Sequence, residues 1–281
     1  MKRSILFVYR YRIPIYYAAG VLLIALLVAG KLGFRGTIPL ETELAIGALV
    51  TLAVCAILSF TVPTMLPVED TQTVASPVRG RWLGMNSPQT KVPSHGVRAY
   101  GQAYAIDLCF EPEGATRPDF GGRMPARSPN EYPAFGEPVY AMIDGVVTRS
   151  SDWRRDHLAR SNWFGFIYMM IEGMIREIGG PGFIVGNHIV IRRADGVHAL
   201  VAHLQRGSAL VKTGDQVVTG QQIGRCGNSG NTTEPHVHAQ LMDRASTWTG
   251  QGIPMKFARI TLDETPEQVD SLPSDDQHME A

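Results

Sequence analysis

Two uninterrupted apolar runs near the N-terminus constrain this chain more than any other feature. Ile13 to Gly30 reads IPIYYAAGVLLIALLVAG, Ala45 to Val62 reads AIGALVTLAVCAILSFTV, and neither contains a charge. At a rise of about 1.5 Å per residue each would span about 27 Å as a helix, close to the hydrocarbon thickness of a bilayer. Neither run has a polar face, which argues against a pair of buried core helices. A cleaved signal peptide would explain the first run and leave the second unexplained. The expectation is a membrane hairpin over residues 1–62, with spans at about 13–30 and 45–62 and Lys31 to Leu44 as its loop. Tyr16 and Tyr17 sit near one end of the first span, where interfacial aromatics are favoured. Lys2, Arg3, Arg10 and Arg12 put the N-terminus on the cytoplasmic side, and two spans return the chain to that side. Lys31 and Arg35 in the loop make this bias modest.

Composition narrows the rest. Of 281 residues, 44% are hydrophobic and 19% charged, which excludes a disordered chain. Bases and acids balance at 26 each, so the overall basic bias of a nucleic-acid binder is missing. Three scattered cysteines exclude a disulfide framework or a cysteine-based zinc site. Gly 29 and Pro 18 favour a turn-rich β fold over a helical bundle. Residues 63–92 mix Pro, Thr, Ser and Gly and read as a linker. From Asp263 to Glu280 the charges are all acidic, and with Pro266 and Pro273 the segment 262–281 reads as a solvated, poorly ordered tail.

Between linker and tail the chain reads as short strands without intervening helices, hence a mostly antiparallel sheet. Ala103 to Phe110 and Pro138 to Thr148 are two such segments. Gly186 to Arg192 and Ala199 to Leu204 form a hairpin around Asp195-Gly196. The exception is an insertion at about 151–182, long and apolar (WFGFIYMMIEGMIRE). It reads as an amphipathic helix covering a sheet edge, with a lid or a membrane-surface helix as the sharper alternatives.

The chemistry concentrates in His236-Val237-His238. Alternate residues of a strand face one side, so both imidazoles are directed at one place. Such a pair is costly to desolvate unless a metal or proton chemistry uses it. The Gly227-Asn228-Ser229-Gly230-Asn231 loop, Pro235 and the Ala202-His203-Leu204 segment add weight. His188 fits a structural place in the sheet. His198 flanks the turn and reads as solvent-facing, and His157 and His278 have no evident local partner. Tyr104 is either packing or a hydroxyl donor, and Cys226 is given no role.

The run GNHIVIRRADGVHALVAHLQRGSALVKTGDQVVTGQQIGRCGNSGNTTEPHVHAQLMD resembles the core of the M23 zinc metallopeptidases, the lysostaphin or LytM-like family. EPVYAMIDGVVTRS resembles the strand before that core, and AYAIDL the strand of its aspartate ligand. The resemblance covers roughly Pro93 to Asp243, apart from the insertion, and places an M23-like domain at 93–261. It implies an antiparallel β groove, one Zn2+ per chain, and hydrolysis of peptide bonds in peptidoglycan stems or cross-bridges. By motif match Asp107 and His238 are metal ligands, and His203 and His236 assist proton transfer or stabilise the oxyanion. The family's first histidine falls four residues before the aspartate, where this chain has Ala103. His95 is the nearest substitute: if Gly96 to Gly101 turns the chain, His95 lies on a strand opposite Ala103 to Asp107. A bacterial membrane protein with its peptidase domain outside the cytoplasm is expected, against the charge-based orientation.

Two other readings compete. A degenerate zinc-free module of this fold, binding or activating a cell-wall enzyme, would account for Ala103. VKTGDQVVTGQQIG also resembles half-barrel hairpins of biotinyl or lipoyl carriers and membrane adaptors, but Lys212 has no attachment motif and the histidines would be idle.

Overall fold

The computed structural model describes residues 2–34, 36, 38–65, 69–115, 117–263 and 265–281. Arg35, Glu264 and residues 66–68 of the expected linker lie outside the described residues. The chain divides into two units, Met1–Val68 and Glu69–Ala281.

The first unit is a helical pair, α1 (Lys2–Lys31) and α2 (Glu41–Thr61). Both are long and apolar enough to cross a membrane. Helix α1 starts well before the expected residue 13, with Pro14 accommodated inside it. Arg12 is buried in this pair, its guanidinium 3.5 Å from the centre of the Tyr9 ring and its Nε donating to Ser59 Oγ at 2.9 Å.

The second unit is built on a 12-stranded sheet. Its main strands are β1 (Gln72–Val74), β2 (Arg81–Met85), β3 (Ile106–Phe110), β4 (Gly145–Ser151), β5 (His188–Arg192), β6 (His198–Ala202), β7 (Val237–Met242), β8 (Met255–Leu262), β9 (Thr265–Ser271) and β10 (His278–Glu280). The order across the sheet is β1, β8, β10, β2, β3, β7, β6, β5, β4, ending on Gln216–Val217. Only the β1–β8 pairing among these is parallel. The antiparallel β domain expected from the sequence is therefore the fold observed. The β5–β6 hairpin turns at Asp195-Gly196, where Gly196 takes φ 92° and the Asp195 carboxylate accepts from the Val197 amide. All six residues of β7 are buried, as a central strand covered on both faces must be.

Three expectations need correction. Residues 63–92 are not all linker: β1 and β2 lie within them, and Val74, Val78 and Trp82 enter the core. Trp82 is fully buried, stacks on Phe110 at 5.0 Å, and donates its indole N–H to the Arg79 carbonyl. The acidic segment 262–281 is not a disordered tail but supplies β9 and β10. Its sparse apolar residues Leu272 and Met279 are buried, and two of its acids are partnered: Asp263 meets His278, and Asp275 accepts from the Ser87 amide. A few well-placed apolar side chains outweighed the charge bias. The insertion forms α3 (Trp163–Ile178) and α4 (Pro181–Val185). Helix α3 rests on the Ala126–Arg127/Ala159–Arg160 strand pair rather than on an end of the large sheet's main path, which runs from β1 to Gln216–Val217.

Candidate metal centre

The register of two neighbouring strands creates the centre. In the β3–β7 pairing Asp107 lies directly opposite His238, so their side chains leave the same face side by side. His238 Nδ1 is 2.8 Å from Asp107 Oδ1, and His95 Nε2 is 3.0 Å from Asp107 Oδ2. The three residues offer two imidazole nitrogens and a carboxylate oxygen, all within 4.8 Å of one another. His95 reaches the carboxylate by a route other than the expected strand. Residues 99–104 form a short 3-10 segment and β3 begins only at Ile106, while His95 sits in a turn. That turn is tied to the departure site, because the Ser94 amide donates to the carbonyl of buried Ala103 at 3.0 Å.

Hydrogen-bond chemistry fixes the imidazole tautomers. The Gln240 amide nitrogen donates to the Tyr100 carbonyl at 2.9 Å, so its oxygen is the atom 2.8 Å from His238 Nε2. His238 Nε2 therefore carries hydrogen, and a neutral His238 aims the lone pair of Nδ1 at Asp107. A lone pair facing a carboxylate at 2.8 Å needs a proton or a cation between them. Burial disfavours charge on His238, yet the hydrogen bond and charge of Asp107 outweigh it and hold its pKa above the ordinary value. Burial likewise raises Asp107, but the facing His95, His236 and His238 hold its carboxyl well below the usual range. Asn86 Nδ2 also donates to Asp107 Oδ2 at 2.8 Å.

Two more imidazoles complete the cluster. His236 Nε2 lies 3.6 Å from Asp107 Oδ1, and the His203 ring is 4.8 Å from His236 and 5.7 Å from His238. His203 closes β6 at φ 62°. Its Nδ1 meets the Ser229 carbonyl and His236 Nδ1 meets the Glu234 carbonyl, each at 2.8 Å. A carbonyl only accepts, so both Nδ1 atoms carry hydrogen and both Nε2 atoms are left as proton acceptors. Burial, with His236 and His238 nearby, pushes His203 well below the usual imidazole range and keeps it neutral.

All five site residues expected from the sequence thus meet around one carboxylate. Other histidines differ from expectation. His198 is buried, not solvent-facing. His157 has partners, the carbonyls of Leu158 and Gly230, and His278 bridges Asp263 and Glu111. His188 is structural, its Nδ1–H donating to the Gly186 carbonyl. Asn86 and Gln240 were missed. Gln240 did carry a signal, as the third member of the His236, His238, Gln240 alternation along one strand face.

Residues 165–250 match the family model described as Peptidase family M23. It is 32% identical over 122 residues to peptidoglycan DD-endopeptidase ShyC of Vibrio cholerae, covering 43% of this chain and 21% of that protein. It is 37% identical over 89 residues to glycyl-glycine endopeptidase ALE-1 of Staphylococcus capitis, covering 31% of this chain and 24% of that protein. The chain thus spans less than a quarter of the length of these curated relatives. Among solved structures, the catalytic domain of the antimicrobial peptidase lysostaphin from Staphylococcus simulans aligns at 20% identity, covering 62% of this chain and 88% of that one with a TM-score of 0.33.

Proposed function

We propose that the chain is a zinc-dependent endopeptidase acting on peptide bonds of peptidoglycan, held in a bacterial cell membrane by its two N-terminal helices. The observation that carries this reading is the convergence of His95 Nε2, His238 Nδ1 and the Asp107 carboxylate within 4.8 Å. Two imidazoles and one carboxylate are the donor set of an open zinc site with a position left for a small ligand. The lone pair that His238 aims at Asp107 is what such a cation would neutralise. When bound, zinc supplies Lewis acidity at the scissile carbonyl and makes water acidic enough to react near neutral pH.

This chain's own residues do the rest. Gln240 and Ser94 orient the two ligating imidazoles, Gln240 by accepting from His238 Nε2 and Ser94 by its 3.0 Å contact with His95 Nδ1. His203, held neutral by burial, and His236 present Nε2 atoms that can take the proton of an attacking water and return it to the leaving amine. Protonated, either would face the developing oxyanion with a donor. The relatives named as peptidoglycan and glycyl-glycine endopeptidases support cell-wall peptide as the substrate class. Such a substrate requires the peptidase domain outside the cytoplasm.

Two measurements on the purified chain test the reading. Elemental analysis should find about one zinc per chain, and the protein should release new amino termini from purified wall material. A metal-free wild-type chain that still folds would favour the degenerate binding module instead.

A further inference from the structure

Helix α3 is amphipathic the wrong way round for a helix that completes a core. Its polar residues face the protein. Glu172 accepts from Arg160 at 2.8 Å and pairs with Arg176 at 2.9 Å, while Glu177 accepts from the Tyr100 hydroxyl at 3.0 Å. Gly173 lies so close to the Asn231 side chain that an added Cβ would sit 3.1 Å from its Oδ1. These contacts lock the helix about its own axis. The opposite face carries Phe164, Ile167, Ile171, Met174, Ile175 and Ile178, every one at least half exposed and Phe164 79% exposed. Positions 164, 167, 171, 174 and 178 make one continuous stripe. Water opposes exposure of apolar area on this scale, and patches of this kind mark a surface that is covered in use.

We propose that the outward face of α3 lies in the interfacial layer of a lipid bilayer, the one in which α1 and α2 are set. The inference rests on the membrane-anchoring reading, because the chain offers that surface itself. By sequence, seven residues, Met65 to Thr71, link the second apolar helix to β1, a tether of at most about 25 Å when extended. The patch also has the chemistry of an interfacial helix. Trp163 and Tyr168 are exposed among its aliphatic side chains, as aromatics are at headgroup depth. Phe120 meets the Trp163 ring edge-to-face at 5.4 Å and extends the apolar surface. Arg123 and Arg155 are exposed in the neighbouring segments, while Glu172 and Glu177 on the helix are turned inward, which suits anionic headgroups. Through Tyr100, whose hydroxyl holds Glu177 and whose carbonyl holds Gln240, a seated α3 sets the orientation of the metal centre relative to the bilayer.

The test uses the full chain reconstituted in phosphatidylcholine vesicles containing phosphatidylglycerol. Single cysteines at Ile171→Cys and Ile175→Cys carry an environment-sensitive fluorophore, with Val218→Cys, exposed on a different part of the domain, as control. The native cysteines are buried, and labelled wild-type chain is the blank. Brominated lipid should quench the α3 labels several-fold more than the Val218 label, and iodide several-fold less. Equal iodide quenching at all three sites, without a lipid effect, places the face in water and overturns the proposal. Protection of the α3 labels from both quenchers means a protein covers the face, and overturns it too. Flotation of the same samples separates the two readings. A chain that fails to float with the vesicles refutes the membrane anchor and this proposal together, whereas one that floats with α3 in water refutes this proposal alone.

Discussion

Replacing Gln240 by Leu isolates the part played by a residue that ligates nothing. Gln240 is 1% exposed, accepts from His238 Nε2 at 2.8 Å and donates to the Tyr100 carbonyl at 2.9 Å. Leucine is of comparable volume but leaves the buried His238 Nε2–H without its acceptor, at about 1–3 kcal/mol of folding stability. It also frees His238 to change tautomer or rotate. Loss of such an orienting partner weakens metal binding about 10–100-fold, or about 1.4–2.8 kcal/mol. Gln240→Glu helps separate the effects, since it keeps an acceptor for His238 while losing the donor to Tyr100 and burying a carboxylate. The assay is zinc competition against a chelator, alongside denaturant unfolding of the metal-free chains. The Leu variant should show both losses, and the Glu variant a stability loss with zinc affinity closer to that of the wild type. Wild-type zinc affinity in the Leu variant would refute the reasoning.

Other outcomes follow from the same structure. His203→Ala and His236→Ala should each lower turnover on wall peptide by about 10²–10⁴-fold while zinc content, read by elemental analysis, stays intact. Burial holds His188 to about 4 rather than 6.5, so its neutral form stabilises the fold fully above pH 6.5. That contribution, about 3 kcal/mol, is lost as pH falls from 6.5 toward 4. In His188→Phe the unfolding free energy should lose correspondingly less between those two pH values. Truncation before Thr265 strips Leu272 and Met279 from the core, where each large-to-small loss alone costs about 2–5 kcal/mol. The truncated chain should be insoluble or protease-sensitive, and a soluble, active one would restore the disordered-tail reading. Trp82→Ala should lower stability by about 3–5 kcal/mol, which urea unfolding would show, where a linker tryptophan would give almost no change.

Part of the site was legible because Asp107 and His238 sit in regular paired strands, with His236 immediately before β7 and His203 immediately after β6. His236 and His238 alternate, and Asp107 lies on a strand whose pairing with β7 puts it opposite His238. The helical hairpin was legible for the same reason, since an uncharged run has few alternatives. What failed was reading order from local composition. The 262–281 segment looks soluble residue by residue, yet Leu272 and Met279 join a core assembled from the whole domain. Trp82 was hidden among turn residues in the same way. The route of His95 was illegible because a turn, not strand pairing, brings it to Asp107, and Asn86 is a single polar residue with no periodic neighbour. For α3 a membrane-surface helix was one of the alternatives, and what stayed illegible was the direction of its apolar face, because the sequence does not show which side of the helix the protein takes.

The most direct test of the central claim is zinc stoichiometry of the purified chain, measured together with His238→Ala and His95→Ala. The account predicts about one zinc per wild-type chain and strongly reduced zinc in both variants. A wild-type chain without zinc, or a His95→Ala variant that retains full zinc, would contradict it.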